Sequence, residues 1–213
     1  MIKKIKYILL IQLLLLNCTN NNNTTEIRIK KYIANYAEKQ LGFNSDFYND
    51  YELNKISFDS SFINYDIYHA LYTLASPSVE FYVAYQNISG EIINLEIFKN
   101  TTPTGFSKII NYENLLVESD VRKILTLYFQ IFKINVINDI SDIKGINKTS
   151  NFENIIKPIL IKLNNNTWSV KFFAWSDRSG KIIQHEITIN KKDGFHDNMK
   201  IIAENIGNWK APM

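Results

Sequence analysis

A chain of 213 residues with 46% hydrophobic side chains holds enough apolar material for a packed core, in one domain or two small ones, which excludes disordered and fibrous classes. Its formal charge of +3 arises from Lys3, Lys4 and Lys6, because no acidic residue precedes Cys18; the rest of the chain sets 21 basic side chains against 21 acidic ones. A body without a basic surplus lacks the surface that supplies most non-specific nucleic-acid affinity, so nucleic acid is not an expected partner.

The first element is MIKKIKYILLIQLLLLNC: a short basic stretch, an apolar run from Tyr7 to Leu16 broken only by Gln12, then the chain's single cysteine. The run is half of the roughly 20 residues a membrane-spanning helix needs, so it reads as an export signal. Leu15, Leu16, Asn17 and Cys18 resemble the lipobox of bacterial lipoproteins, in the looser spirochaete-type variant, with Asn17 where a small residue is usual. The resemblance implies a signal peptide over 1–17, acylation of Cys18 as the mature N-terminus, and the lipid bilayer as partner. It also implies a place in the cell envelope, with Thr19 in place of an aspartate favouring the outer membrane. Several acyl chains attach stably where one is marginal. Residues 18–25, mostly Asn and Thr, have nothing to bury and read as a flexible tether.

Next, Ile29, Ile33, Tyr36, Ala37, Gln40 and Leu41 share one face of a predicted helix that Gly42 stops. Three predicted strands follow, YHALYTL, VEFYVAY and EIINLEIF, separated by ASPS and NISG, and a short closing helix ends the set near KIINYEN. The sequence then repeats this order. Val121, Ile124, Leu125, Tyr128 and Phe132 make a second helical face after Ser119, and ILIKL, WSVKFFAW and KIIQHEITIN make three more strands. Met199, Ile202, Ala203 and Ile206 have helical spacing, with Asp197 as cap and Gly207 as stop.

The two halves also match at an offset of about 91 residues: SVEFY with SVKFF, SGEIINLEI with SGKIIQHEI, Gly105-Phe106 with Gly194-Phe195, KIINYEN with KIIAEN, Phe62 with Phe152. The expectation is therefore an α+β fold of two tandem repeats, 26–116 and 117–213, each a helix, a three-stranded antiparallel meander and a closing helix. The pattern is loosely similar to PepSY-like modules in architecture.

His185 beside Glu186 invites a site reading. Alternation, however, sets His185 among Ile183, Ile187 and Ile189, and its twin is Leu95, so a packed ring with one satisfied hydrogen bond is expected. Glu186 points to the other face and cannot join it. His69, His185 and His196 have no metal-ligand spacing, no Gly-rich phosphate loop or nucleophile elbow occurs, and no metal or cofactor is expected. The remaining candidate is aromatic: Tyr82, Phe173 and Trp175 form a strip that either lies under a second layer or docks an envelope protein, peptide or glycan. The function expected is a non-catalytic binding or structural module on a membrane anchor; the alternative is a lipid-anchored enzyme of hydrolase type whose groups meet only in the fold.

Overall fold

The computed structural model describes residues 24–58, 62–74, 78–114, 117–143, 158–176 and 180–204. The predicted signal sequence, Cys18 and the predicted tether up to Asn23 lie outside them, as do Phe152, Ile206 and Gly207. The chain divides into two compact units, one within Met1–Phe58 and Tyr65–Ile93, the other within Asp59–Asn64 and Asn94–Met213.

In the first unit, helix α1 occupies 24–41 and buries Ile29, Ile33, Ala34 and Ala37; of the expected face, Tyr36 is half-buried and Gln40 and Leu41 at the helix end are exposed. Gly42 ends it at φ +72, its N–H reaching the Glu38 carbonyl at 3.0 Å. Strands β1 (Tyr51–Ile56), β2 (Asp66–Tyr72) and β3 (Val79–Tyr85) pair antiparallel, and β4 (Ile92–Asn94) follows in the order β1-β2-β3-β4. The stripe of α1 packs on Tyr51, Ala70, Phe81, Val83 and Tyr85.

In the second unit, α2 (Thr104–Lys108) and α3 (Glu118–Ile131) accompany β5 (Asn135–Ile137), β6 (Ile159–Asn164), β7 (Thr167–Ser176), β8 (Lys181–Asn190) and β9 (Gly194–Ala203). The sheet runs β5-β7-β8-β9 and is antiparallel throughout; β6 takes the early part of β7 and β5 its late part.

The fold is thus mostly β, with sheets of four and five strands, and the expected α+β pair of helix-meander-helix repeats is incorrect. Three features overturn it. The predicted closing helix of the second half is β9: Asn190 Oδ1 accepts from the N–H groups of Lys192 and Asp193, Gly194 turns the chain at φ +84, and the ladder continues from Asn190↔Gly194 to Ile182↔Ala203. That Asp-Gly turn between two apolar segments is a hairpin signal, and ladder pairing outweighs the helical spacing of Met199 and Ala203. The predicted strand 91–98 pairs only over Ile92–Asn94, because the Ile97 carbonyl is taken by the Gly105 N–H and the Thr104 hydroxyl at the start of α2. A Cβ at Gly105 would overlap the Asn94 carbonyl oxygen, so only glycine fits that approach. Finally, the matched dipeptides have different conformations, since Gly105-Phe106 lies in α2 and Gly194-Phe195 in β9. Residues 94–114, assigned by the repeat reading to the first copy, belong to the second unit.

Candidate functional site

On one face of the second sheet, alternation aligns Phe172 and Ala174 of β7, His185, Ile187 and Ile189 of β8, and Phe195, Asp197 and Met199 of β9. Helix α3 lies over this face through Tyr128, Phe129 and Phe132: Phe129 meets Phe172 edge-on at 5.0 Å, and Tyr128 meets Phe195 at 4.6 Å. Phe106 of α2 completes the layer, edge-on to Phe195 at 5.3 Å.

Three polar groups converge inside this aromatic core. The Tyr128 hydroxyl donates to Asp197 Oδ2 at 2.9 Å, and His185 Nδ1 bonds the same oxygen at 2.8 Å. Ile187 pairs with Asp197 across the β8–β9 ladder, which sets His185 and Asp197 as diagonal neighbours. The Asp197 backbone N–H is held by the Thr101 carbonyl at 2.9 Å, fixing that stretch of β9. The imidazole lies flat on Phe172, centroids 4.9 Å apart and planes 2° from parallel. Asp197 is fully buried, and its Oδ1 has no partner among the described residues. Burial, then the Asp197 charge and hydrogen bond, push the Tyr128 hydroxyl far above the ordinary tyrosine range, so it stays a neutral donor at every working pH.

His185 also lines a cavity of about 600 Å³, whose described walls include Phe98, Tyr128, Phe132, Trp175 and Met199. Its size is that of small-molecule sites. The cavity lies beside the end of α3, where Lys133 takes φ +50 and the Phe132 N–H closes onto the Tyr128 carbonyl. Its outer residues include Phe98 and Met199, both exposed apolar side chains.

The expectation for His185, a packed ring with one hydrogen bond, describes its setting: 5% exposed, stacked and bonded. Its acid is Asp197, not the adjacent Glu186, which is exposed. Asp197 is correspondingly no helix cap. Of the aromatic strip, Tyr82 of β3 is buried against His69, at 6% exposure, and Phe173 is buried with Ile137, Ile143 and Ile182, at 8%. Trp175, half-buried, packs on that cluster and also contributes to the cavity wall. A docking strip needs open rings, and two of the three are interior. Among the described residues no group of three His, Cys, Asp or Glu side chains is placed to hold a metal, and no helix is long and apolar enough to cross a membrane.

The residue that sequence reasoning missed is Asp197. Read as a strand, 195–201 puts this acid in an apolar alternation of Phe195, Met199 and Ile201, on the hairpin partner of the strand whose apolar face carries His185. Two misplaced polar residues on one face are a legible signal once the Asp-Gly turn is recognised. Compared with protein families, with characterised proteins and with solved structures, the chain matches none of them.

Proposed function

We propose that this chain is a lipid-anchored protein of the bacterial cell envelope, held to the membrane through an acylated Cys18, whose second unit binds a small, largely apolar molecule bearing one polar group. The observation that carries the binding half is the buried Tyr128–Asp197–His185 network, which fixes one buried polar side chain in the wall of a cavity of about 600 Å³ that Phe98, Phe132, Ile183 and Met199 line together with the more polar Lys133, Asn135 and Ser176. Apolar walls supply affinity, and one oriented polar group supplies selectivity. The anchor half rests on the lipobox resemblance at Leu15–Cys18, and Thr19 supports the outer membrane as destination.

A second reading has its own observation. A carboxylate on Nδ1 orients a histidine for proton transfer from its other nitrogen, so the pair also suits a lipid-anchored enzyme using general acid–base chemistry. Turnover lost in His185→Gln while the cavity still binds ligand would favour it.

The anchor is tested by metabolic labelling with radioactive palmitate. Wild-type chain takes the label and Cys18→Ser does not; a labelled Cys18→Ser, or an unlabelled wild type, overturns the anchor. The pocket is tested through methyl-labelled methionine. Met199 lies on the cavity wall, while Met213 serves as internal reference. Small aromatic molecules shift the Met199 methyl resonance saturably, and a library that leaves Met199 unmoved overturns the binding reading.

A further inference from the structure

We propose that the polar group the cavity selects is a hydrogen-bond donor, a hydroxyl on an aromatic or alicyclic body, accepted by Nε2 of His185. This rests on the ligand-binding reading and specifies the polarity of the contact with His185.

The polarity follows from counting protons. Asp197 Oδ2 receives both the Tyr128 hydroxyl and His185 Nδ1. Tyrosine keeps its proton, so that bond is a donation to the carboxylate. Asp197 Oδ1 has no acceptor beside it among the described residues, so a proton on that oxygen would have nowhere to bond. Between Oδ2 and Nδ1 the proton sits on the stronger base, and an imidazole nitrogen is ordinarily a stronger base than a carboxylate; the carboxylate therefore accepts both bonds and Nδ1 carries the ring proton. In the neutral ring that leaves a lone pair on Nε2.

Nε2 is also the ring nitrogen that remains for the cavity. The ring is 5% exposed and lines the wall, its face is covered by Phe172, and Nδ1 is taken. Among the described residues the buried side-chain polar atoms without partners are Trp175 Nε1 and Asp197 Oδ1; His185 Nε2 is not one of them. No described residue bonds it, which leaves it as the ring's available acceptor among the described residues. Asp197 and Tyr128 are positioning residues here: they hold the tautomer and the tilt, and do not touch ligand.

Charge argues against an anionic ligand. A carboxylate or phosphate brought to Nε2 would stand one imidazole ring away from a fully buried acid. The cation on the wall, Lys133, is an exposed side chain, where solvent screens it. An apolar ring against Phe98 and Phe132, with an O–H at its inner end, suits both those side chains and the nitrogen.

The test uses the full chain in lipid nanodiscs, the Met199 methyl resonance as readout, and three probes sharing one ring system, each referred to its measured free aqueous concentration. 2-Naphthol offers a donor, 2-methoxynaphthalene removes it, and 2-naphthoate replaces it with an anionic acceptor. The expected order is 2-naphthol first, by roughly three- to tenfold over the ether, the range a single net hydrogen bond supplies, and naphthoate weakest. In His185→Phe the naphthol and the ether bind alike; should that variant not fold, the wild-type comparison decides alone. Equal binding of naphthol and ether, or tighter binding of naphthoate, overturns the donor assignment while leaving the pocket standing. Binding of none of the three overturns both.

Discussion

Replacing His185 by leucine, the residue its upstream counterpart carries at position 95, lowers the stability of the second unit by about 3–5 kcal/mol. Volume is not the reason, since leucine fills most of the space of an imidazole. The cost falls on Asp197, which is fully buried and already leaves one oxygen without a partner; losing the Nδ1 bond leaves its charge with the Tyr128 hydroxyl alone. The decisive comparison is His185→Leu with Asp197→Leu in one chain. Removing both members of a buried polar pair is far less costly than removing one, so the double variant is more stable than His185→Leu alone. Urea unfolding followed through Trp168 and Trp175, both on β7, reads this directly. A cost below about 1 kcal/mol for the single variant would mean that the network does not form.

Phe106→Ala is expected to cost a similar amount, about 3–5 kcal/mol, for a different reason. Phe106 is fully buried, 5.3 Å from both Phe195 and Tyr128 and 6.2 Å from Phe132, so its removal opens a hole beneath the helix that carries the Tyr128 hydroxyl. The variant also separates two architectures. Were Gly105-Phe106 and Gly194-Phe195 equivalent positions in separate repeats, truncating both phenylalanines would add their costs. In the fold they touch at 81°, so Phe106→Ala with Phe195→Ala costs less than the sum. Simple additivity would restore the repeat.

Periodicity made part of this fold readable. The stripe of α3 and the alternation of β8 are amphipathic over several residues, and the positive-φ glycines Gly42, Gly90 and Gly180 mark real turns or stops, whereas β3 is buried on both faces over residues 81–85 and β6 leaves its apolar Ile159, Ile161 and Leu163 exposed. Strands β1 and β5 escaped. Strand β1 is an edge strand burying only Tyr51, and β5 is three residues long; neither carries a pattern of its own. Segment 194–203 failed for the opposite reason, since Met199, Ile202 and Ala203 satisfy a helical spacing while Phe195 and Asp197 satisfy a strand. Its hydrogen bonds to β8 decide between them. Similar short strings in the two halves proved to share composition without sharing conformation, because a Gly-Phe pair is compatible with a helix start in α2 and a strand start in β9.

The site was half legible for the same reason. His185 among isoleucines announced a polar group inside the core, and its counterpart Leu95 marked the face as apolar. The acid that completes it could not be assigned while its segment was read as a helix, since a cap faces solvent and a strand residue faces the core. The cavity has no sequence signal, as its walls come from Phe98 ahead of α2, the end of α3 and the turn after it, and β5, β7, β8 and β9.

Heteronuclear NMR of the His185 ring nitrogens tests the central claim most directly. The account predicts that the neutral ring carries its proton on Nδ1, slow to exchange because it is bonded to Asp197, and that Nε2 is bare and shifts when 2-naphthol occupies the cavity. A neutral ring protonated on Nε2, with Nδ1 bare, would make Asp197 the donor and contradict the account.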